Sequence, residues 1–419
     1  MFNERYYYTT LSKEEKVAYK MIYNGVKMRA LNIVVPVHFP PQRIQEIYLM
    51  VLFEHPMFYY INQLSIRMMG EPGYYILLPE YLYSVSEIER IDQDINNILS
   101  RIDVKAREMR DNEFRLEKFL HDSVVKSVAY DYESLQKSDC YNAHSIVGVF
   151  LDKKAVCEGI AKAFKLLCNK YGMKCIVVIG KADPNGRFDG DTYHAWNIVK
   201  VGNGSYHVDV TWDNMFDREY EHISYDYFNV TTEDILKDHR PMGQLPYCKD
   251  IGLNYFHCTN SFVSSYEDLV DLMCHRMNAK SIMFKIKPGS SEFRTMEDFK
   301  NKTFLALTHS MLMTGSIRKP AVVFNESQWI GKVLFSTEDM AIPVPHAVSA
   351  LEAVVESIPE LVPESEQEPV PDAFEPEMES TPESVPEFEL ESEVAPVPDV
   401  SEPETDSASY PDTNPELTE

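Results

Sequence analysis

The segment from Ala155 to Val210 constrains the fold of this chain more than any other part of the sequence. It begins with apolar residues at helical spacing, which predict an amphipathic helix over 157–171. Further on, Gly202-Asn203-Gly204 separates two mainly apolar runs, which is typical of a β-hairpin. A helix followed by antiparallel strands is an α+β pattern, so we predict an α+β fold.

Three residues of this segment have the types and the order of a catalytic triad. Cys157 begins the predicted helix, where unpaired backbone N–H groups and the helix dipole favour a thiolate. His194 lies on the first hairpin strand, and Asp209 lies on the second. An imidazole beside the sulfur would activate it, and a carboxylate would hold that imidazole in one tautomer. Each residue alone is more often structural, so the prediction rests on their joint occurrence.

The hairpin register decides whether His194 and Asp209 can meet. A register centred on Gly202-Asn203-Gly204 puts Asn197 near Asp209 and His194 near Trp212. Asp209 is then within diagonal reach of His194. A bulge or a slightly shifted register would bring the two side chains together.

The motifs around the three residues resemble those of the transglutaminase-like superfamily, and in particular its bacterial core domains. The matching stretches are Val156-Cys157-Glu158-Gly159, His194-Ala195-Trp196-Asn197 and Asp209-Val210-Thr211-Trp212. The resemblance implies a papain-like fold with the cysteine helix packed on an antiparallel sheet. It implies that Cys157 is the nucleophile, His194 the general base and Asp209 the orienting acid. Ile160 replaces an aromatic residue of many relatives, and Val210 replaces a proline.

The resemblance implies a cysteine enzyme that attacks amide bonds of protein or peptide substrates through a thioester. We expect hydrolysis slightly more than transfer to an amine, because water is always present. The alternative is a catalytically silent module for peptide binding or assembly. The Cys157 backbone N–H is the expected first oxyanion donor, and His144, Trp196 and Trp212 are candidates for a further donor or for the cleft.

Four regions are predicted along the chain. Residues 1–110 form a mainly helical N-terminal region, 111–250 the catalytic domain, 251–340 a small α/β domain, and 341–419 a disordered acidic tail. The tail has 22 acidic residues, no Lys or Arg, and 14 prolines, so it cannot bury enough apolar surface to fold. A solubilising spacer is its expected role, and its partner is unknown.

Charge and cysteine content limit the environment and the partners. The net charge is −26, but residues 1–340 carry 40 basic and 44 acidic residues without a basic stripe, which argues against nucleic acid as a partner. Seven cysteines without a CxxC pair are typical of a reducing compartment. We expect a cytoplasmic protein without a signal peptide, a membrane span or membrane binding.

No cofactor or metal is predicted. The loop Asp183–Asp191 is rich in aspartate, but Arg187 and Phe188 break the spacing of a calcium-binding loop. We expect a solvated turn that borders the cleft. His257, Cys258, Cys274 and His275 do not have the spacing of a common zinc site.

Overall fold

The computed structural model describes residues 5–36, 39–63, 66–71, 73–137, 139–188, 193–214 and 222–336. The predicted acidic tail, 341–419, lies outside the described residues, as does the end of the Asp183–Asp191 loop. Within the described ranges, no helix combines the length and the apolar character needed to cross a membrane.

The N-terminal part combines helices with a three-stranded antiparallel sheet of order β1-β3-β2. Its elements are α1 (Tyr6–Thr10), α2 (Lys13–Met28), β1 (Ile33–Val35), α3 (Pro41–Glu54), β2 (Arg67–Glu71), β3 (Tyr74–Leu78) and α4 (Val85–Ala106). A capping box begins α2, since the Ser12 side chain accepts from the Glu15 N–H and the Glu15 side chain accepts from the Ser12 N–H. An apolar core of its own joins α2, α3 and the sheet.

The middle part is built on a four-stranded antiparallel sheet of order β8-β7-β6-β9. Its elements are α5 (Glu113–Val125), β4 (Ala129–Tyr130), β5 (Lys154–Ala155), α6 (Cys157–Lys170), β6 (Lys174–Ala182), β7 (Tyr193–Val201), β8 (Gly204–Val208), α7 (Thr232–Ile235) and β9 (His239–Pro241). Helix α6 packs on β6 and β7 and also contacts α5. β4 and β5 pair in parallel and lead the chain into α6.

The C-terminal part has a four-stranded sheet of order β10-β11-β13-β12 with two longer helices. Its elements are α8 (Tyr255–Cys258), β10 (Phe262–Val263), α9 (Tyr266–Arg276), β11 (Ser281–Ile286), α10 (Met296–Thr314), β12 (Pro320–Asn325) and β13 (Ile330–Phe335). A separate apolar cluster fills the space between these helices and the sheet. The four-region division remains a prediction, whereas the mixed helix-and-sheet class of the fold is confirmed.

The predicted hairpin register is wrong by one residue. Asn197 pairs with Val208 rather than lying near Asp209, and Val201 pairs with Gly204. The turn therefore contains two residues, Gly202 and Asn203, and not three. Gly202 has φ of 55°, a left-handed conformation that glycine adopts without a Cβ clash. This register ends β8 at Val208 and leaves Asp209 just beyond the ladder.

Candidate active site

Cys157 is the first residue of α6 and is partly exposed. The preceding Val156 is extended, with φ of −92° and ψ of 175°, so the chain turns sharply into the helix at the sulfur. Gly159 lets the backbone of Ala143 come close to the helix, because a Cβ at position 159 would lie 2.4 Å from the Ala143 carbonyl oxygen. The short helical turn Tyr141–His144 therefore packs directly against the start of α6. The first N–H groups of the helix remain available near the thiol.

The structure brings His194 to both of its predicted partners. His194 Nε2 lies 2.6 Å from Asp209 Oδ2, and both side chains are buried. The Cys157 side chain lies close enough to His194 to raise the pKa of that ring. Because Nε2 faces the carboxylate, Nδ1 is the ring nitrogen left for the sulfur. A thiol, an imidazole and a carboxylate are thus connected in series.

Asp209 has donors on both carboxylate oxygens. Oδ1 accepts from the backbone N–H groups of Thr211, at 2.9 Å, and Trp212, at 3.1 Å. Oδ2 faces Nε2 of His194 and Nε2 of His239, the latter at 3.1 Å. Burial alone would raise the pKa of Asp209, but the two imidazoles hold it well below its usual range. Asp209 is therefore ionised at neutral pH.

The pKa of His194 moves in the opposite direction. Burial would lower it, but the charge and the hydrogen bond of Asp209, together with Cys157, raise the pKa of His194 to about 10. The ring therefore carries both protons at neutral pH, as the cation of a thiolate–imidazolium pair requires.

His239 is a site residue that sequence reasoning missed. It begins β9, which pairs with β6 so that His239 lies opposite Ala182. Its ring is fully buried and contacts Asp209. Its neighbours Asp238 and Arg240 make the stretch look like a charged surface turn, so the sequence offers little sign of burial.

Two tryptophans that were predicted to lie near the cleft pack around His194. Trp196 is fully buried and stacks on His194 with ring centroids 6.1 Å apart and an interplanar angle of 17°. Its indole N–H donates to His207 Nδ1 over 3.1 Å. Trp212 lies with its ring centroid 5.7 Å from His194 and 4.4 Å from His239. The rings restrict the two imidazoles to a narrow range of orientations.

His144 contacts Glu158, the residue that follows Cys157 in the cysteine motif. His144 Nδ1 is 3.0 Å from Glu158 Oε2, and Lys162 Nζ is 2.5 Å from Glu158 Oε1. Burial would raise the pKa of Glu158, but Lys162 and His144 hold it well below its usual range. Lys162 also contacts Gln63 from the N-terminal part. This network fixes the residue after Cys157.

Tyr130 is a second residue that the sequence did not single out. It pairs with Ala155 in the β4–β5 ladder, and its hydroxyl lies close enough to the Cys157 side chain for the thiol to raise the pKa of Tyr130. Burial and the nearby thiol raise the pKa of Tyr130, so its hydroxyl keeps its proton. Tyr130 also borders a surface cavity of about 730 Å³ that is lined by Tyr132 and Asn214, among others. A phenolic donor therefore lies beside the sulfur.

His194, Asp209 and His239 have donor atoms within 4.8 Å of one another, which is close enough to consider a shared metal ion. Two bonds of about 2.0–2.2 Å at a tetrahedral metal would hold the ligand atoms about 3.3 Å apart. The separation of 2.6 Å between His194 and Asp209 is shorter and is that of a hydrogen bond. We therefore interpret the three side chains as a hydrogen-bonded chain.

Comparisons with known proteins match the segment that contains this site. Residues 102–210, which include Cys157, His194 and Asp209, match the model of the transglutaminase-like superfamily. Over 94 residues the chain is 31% identical to the kyphoscoliosis peptidase of Mus musculus and 30% identical to that of Homo sapiens. Each match covers 21% of this chain and only 14% of the relative.

A solved TGase structure is similar with a TM-score of 0.22 and 15% identity, over 43% of this chain and 50% of that chain. The family model covers the first two motifs and the first two residues, Asp209 and Val210, of the third. The chain therefore contains, at residues 102–210, a domain of the transglutaminase-like superfamily.

Proposed function

We propose that this protein is a cysteine enzyme that attacks amide bonds of protein or peptide substrates. Cys157 is the nucleophile, His194 the general base and acid, and Asp209 the residue that orients His194. The observation that carries the proposal is a single imidazole in contact with both partners. His194 Nε2 lies 2.6 Å from Asp209, and the Cys157 side chain lies close enough to the same ring to raise its pKa. Cys157 is also partly exposed, whereas Cys168 is buried.

The reaction begins when the Cys157 thiolate attacks the amide carbonyl carbon. A tetrahedral oxyanion forms, and it collapses to a thioester as His194 protonates the leaving amine. The backbone N–H of Cys157, at the start of α6, is the proposed first oxyanion donor. The protonated hydroxyl of Tyr130 is a candidate for the second, because Tyr130 is a neighbour of Cys157 whose pKa the thiol raises.

Water or an amine then resolves the thioester, and we favour water. An amine acceptor needs a binding site of its own, whereas water is always present. The two relatives reported above are named peptidases, which also favours hydrolysis. The alternative is a catalytically silent module that binds peptides or serves assembly, with the N-terminal part and the acidic tail supplying contacts.

The cytoplasm is the proposed location. All seven cysteines are free thiols, including the fully buried Cys168. Free thiols at every cysteine are typical of a reducing compartment.

The first test separates catalysis from a silent module. The full chain is treated with iodoacetamide, and alkylation of each cysteine is followed by mass spectrometry. We expect Cys157 to react rapidly below about pH 8, while the buried thiols stay unreactive. Cys258 is the matched control, because it has the same intermediate exposure as Cys157 and its pKa is raised by burial. Equal, slow labelling of Cys157 and Cys258 would favour the silent module.

The second test separates hydrolysis from transfer. The protein is incubated with a glutamine-rich protein substrate and a labelled primary amine, and both peptide cleavage and label incorporation are measured. We expect cleavage that Cys157→Ala abolishes and Cys258→Ala leaves unchanged. Incorporation of the amine that is lost only in Cys157→Ala would instead identify a transferase.

A further inference from the structure

A second buried imidazole, that of His239, contacts the candidate triad. It lies outside residues 102–210, which match the superfamily. His239 Nε2 lies 3.1 Å from Asp209 Oδ2, and His239 Nδ1 lies 2.7 Å from Asp238 Oδ1. All three side chains have no exposed surface. Both nitrogens of this ring therefore face carboxylate oxygens in a region closed to water.

The hydrogen bonds define the protonation of this ring. An ionised carboxylate only accepts, so each contact requires a proton on the ring nitrogen. Asp238 Oδ2 accepts from three further donors, namely the hydroxyl groups of Tyr227, at 2.8 Å, and Ser327, at 2.5 Å, and the side-chain amide of Gln328, at 2.8 Å. Asp209 is likewise surrounded by donors. Between two ionised carboxylates, both ring nitrogens of His239 donate, and the ring is then a cation.

We propose that His239 is a positioning residue of the triad, a buried imidazolium held between Asp238 and Asp209. This inference rests on the proposed roles of Cys157, His194 and Asp209. His239 fixes the carboxylate oxygen that His194 also uses. Its charge adds to that of His194 and favours the thiolate of Cys157, so the enzyme reaches its reactive form at a lower pH.

The donors that hold Asp238 come partly from the C-terminal part of the chain. Ser327 and Gln328 lie in the turn between β12 and β13. A continuous chain of contacts therefore runs from this turn through Asp238 and His239 to Asp209. It gives the C-terminal part a role in the geometry of the active site.

Several titratable side chains lie around His239. His194 lies with its ring centroid 5.5 Å from that of His239, and Tyr227 lies with its centroid at 5.4 Å. His207 is also close enough for the charge of His239 to lower the pKa of His207, in addition to the larger effect of burial. Asp209 and Asp238 are the carboxylates in hydrogen-bonding contact with His239. The positive charge is therefore matched by the two aspartates.

The test uses the full chain and two variants, His239→Gln and Asp238→Asn. The first removes the cation but keeps a donor amide, and the second keeps the ring but removes the carboxylate that stabilises its charge. The rate of Cys157 alkylation by iodoacetamide is measured from acid to neutral pH. We expect the pH of half-maximal reactivity to rise by about 0.5 unit in both variants, because a buried cation near the thiolate is lost.

His207→Gln is the matched control, since His207 is equally buried but contacts Trp196 and Thr232 rather than a carboxylate. Its alkylation midpoint should stay at the wild-type value. In parallel, ¹⁵N spectra of histidine-labelled protein should show both ring nitrogens of His239 protonated at pH 7. Circular dichroism confirms that each variant is folded.

A slower reaction without a shift of the midpoint would reduce His239 to a structural residue and overturn the inference. A neutral His239 ring at pH 7 would do the same. Failure of the proposed function has a different signature, because wild-type Cys157 would then show no enhanced reactivity relative to Cys258.

Discussion

Two buried aspartates in one turn have pKa values that are shifted in opposite directions. Asp209 and Asp213 are four residues apart, both have no exposed surface, and the Asp213 N–H donates to the Asp209 carbonyl over 3.1 Å. Imidazoles hold the pKa of Asp209 well below its usual range despite burial. Burial raises the pKa of Asp213 to about 7, although His121 opposes this. The same environment therefore contains one carboxylate and one group that is protonated just below neutral pH.

The difference lies in the donors around each group. Asp209 has two backbone N–H groups and two imidazoles within 3.1 Å. Asp213 accepts from the Tyr227 N–H at 3.1 Å, and its other oxygen is 3.3 Å from His121 Nε2, a ring that also contacts Asp122. Burial sets the cost of a charge, and the number and charge of the donors decide whether that cost is met.

The largest effect is expected when the charge of Asp209 is removed. Asp209→Asn keeps the shape but removes the charge that raises the pKa of His194, so the thiolate–imidazolium pair is lost. We expect the rate of Cys157 alkylation at pH 7 to fall by about 10²–10⁴-fold, the scale found when a triad carboxylate is neutralised. Stopped-flow or quenched alkylation with mass spectrometry measures this rate.

Asp213→Asn is the control for this prediction, since it makes the same chemical change four residues away. Its alkylation rate should remain within about 3-fold of wild type, because Asp213 is protonated for part of the time at pH 7. Equal losses in the two variants would show that the turn as a whole, and not the Asp209 charge, supports Cys157.

An intermediate effect concerns the pH dependence of stability. The pKa of Asp213 is about 7 in the folded protein and about 3.9 in an unfolded chain, so unfolding releases a proton between these values. Asp213 therefore destabilises the fold progressively as pH rises from about 4 to about 7, and Asn does not titrate. Relative to wild type, Asp213→Asn should gain about 1–3 kcal/mol between pH 5 and pH 8.

Urea unfolding of both proteins at pH 5 and pH 8 measures this difference. Asp111→Asn, at an exposed position, controls for the change in net charge. If the free-energy difference between Asp213→Asn and wild type is the same at both pH values, Asp213 is ionised throughout and the contrast with Asp209 disappears.

The smallest effect is expected at Ser327, which contacts Asp238 at the outer edge of the cluster around Asp209. Ser327→Ala removes one of the donors to Asp238 and leaves Tyr227 and Gln328 in place. We expect a loss of about 1 kcal/mol in the free energy of unfolding and a change in alkylation rate below about 3-fold. Ser291→Ala, at an exposed position, should change neither quantity. A stability loss equal to that of Ser291→Ala would show that the Ser327 contact contributes nothing measurable.

Local sequence patterns predicted much of the secondary structure. The apolar runs at 74–78 and 281–286 indicate strands, and both strands have those bounds in the structure. The apolar spacing after Pro41 indicates a helix as far as Phe53, and that helix ends at Glu54; the helix predicted over 157–171 ends at Lys170. Apolar periodicity locates an element, but its ends depend on caps and on packing, so the bounds shift by a few residues.

The hairpin register and the outer shell of the site were not predictable in the same way. Gly202-Asn203-Gly204 is compatible with a two- or a three-residue turn, and the choice moves Asp209 along the ladder. His239 reaches Asp209 only because β9 pairs with β6, which joins residues that are far apart in the sequence. A charged stretch such as 237–240 carries no periodic signal for such a pairing.

The sequence by itself determined the superfamily and the mixed α and β composition, because motifs and periodicities are properties of neighbouring residues. It also named Cys157, His194 and Asp209 as candidates whose catalytic roles remain predictions. Only the tertiary structure decided which side chains surround Asp209 and how each buried carboxyl group ionises. Those properties depend on desolvation and on donors that distant segments contribute, such as His239 from β9 and Ser327 from the β12–β13 turn.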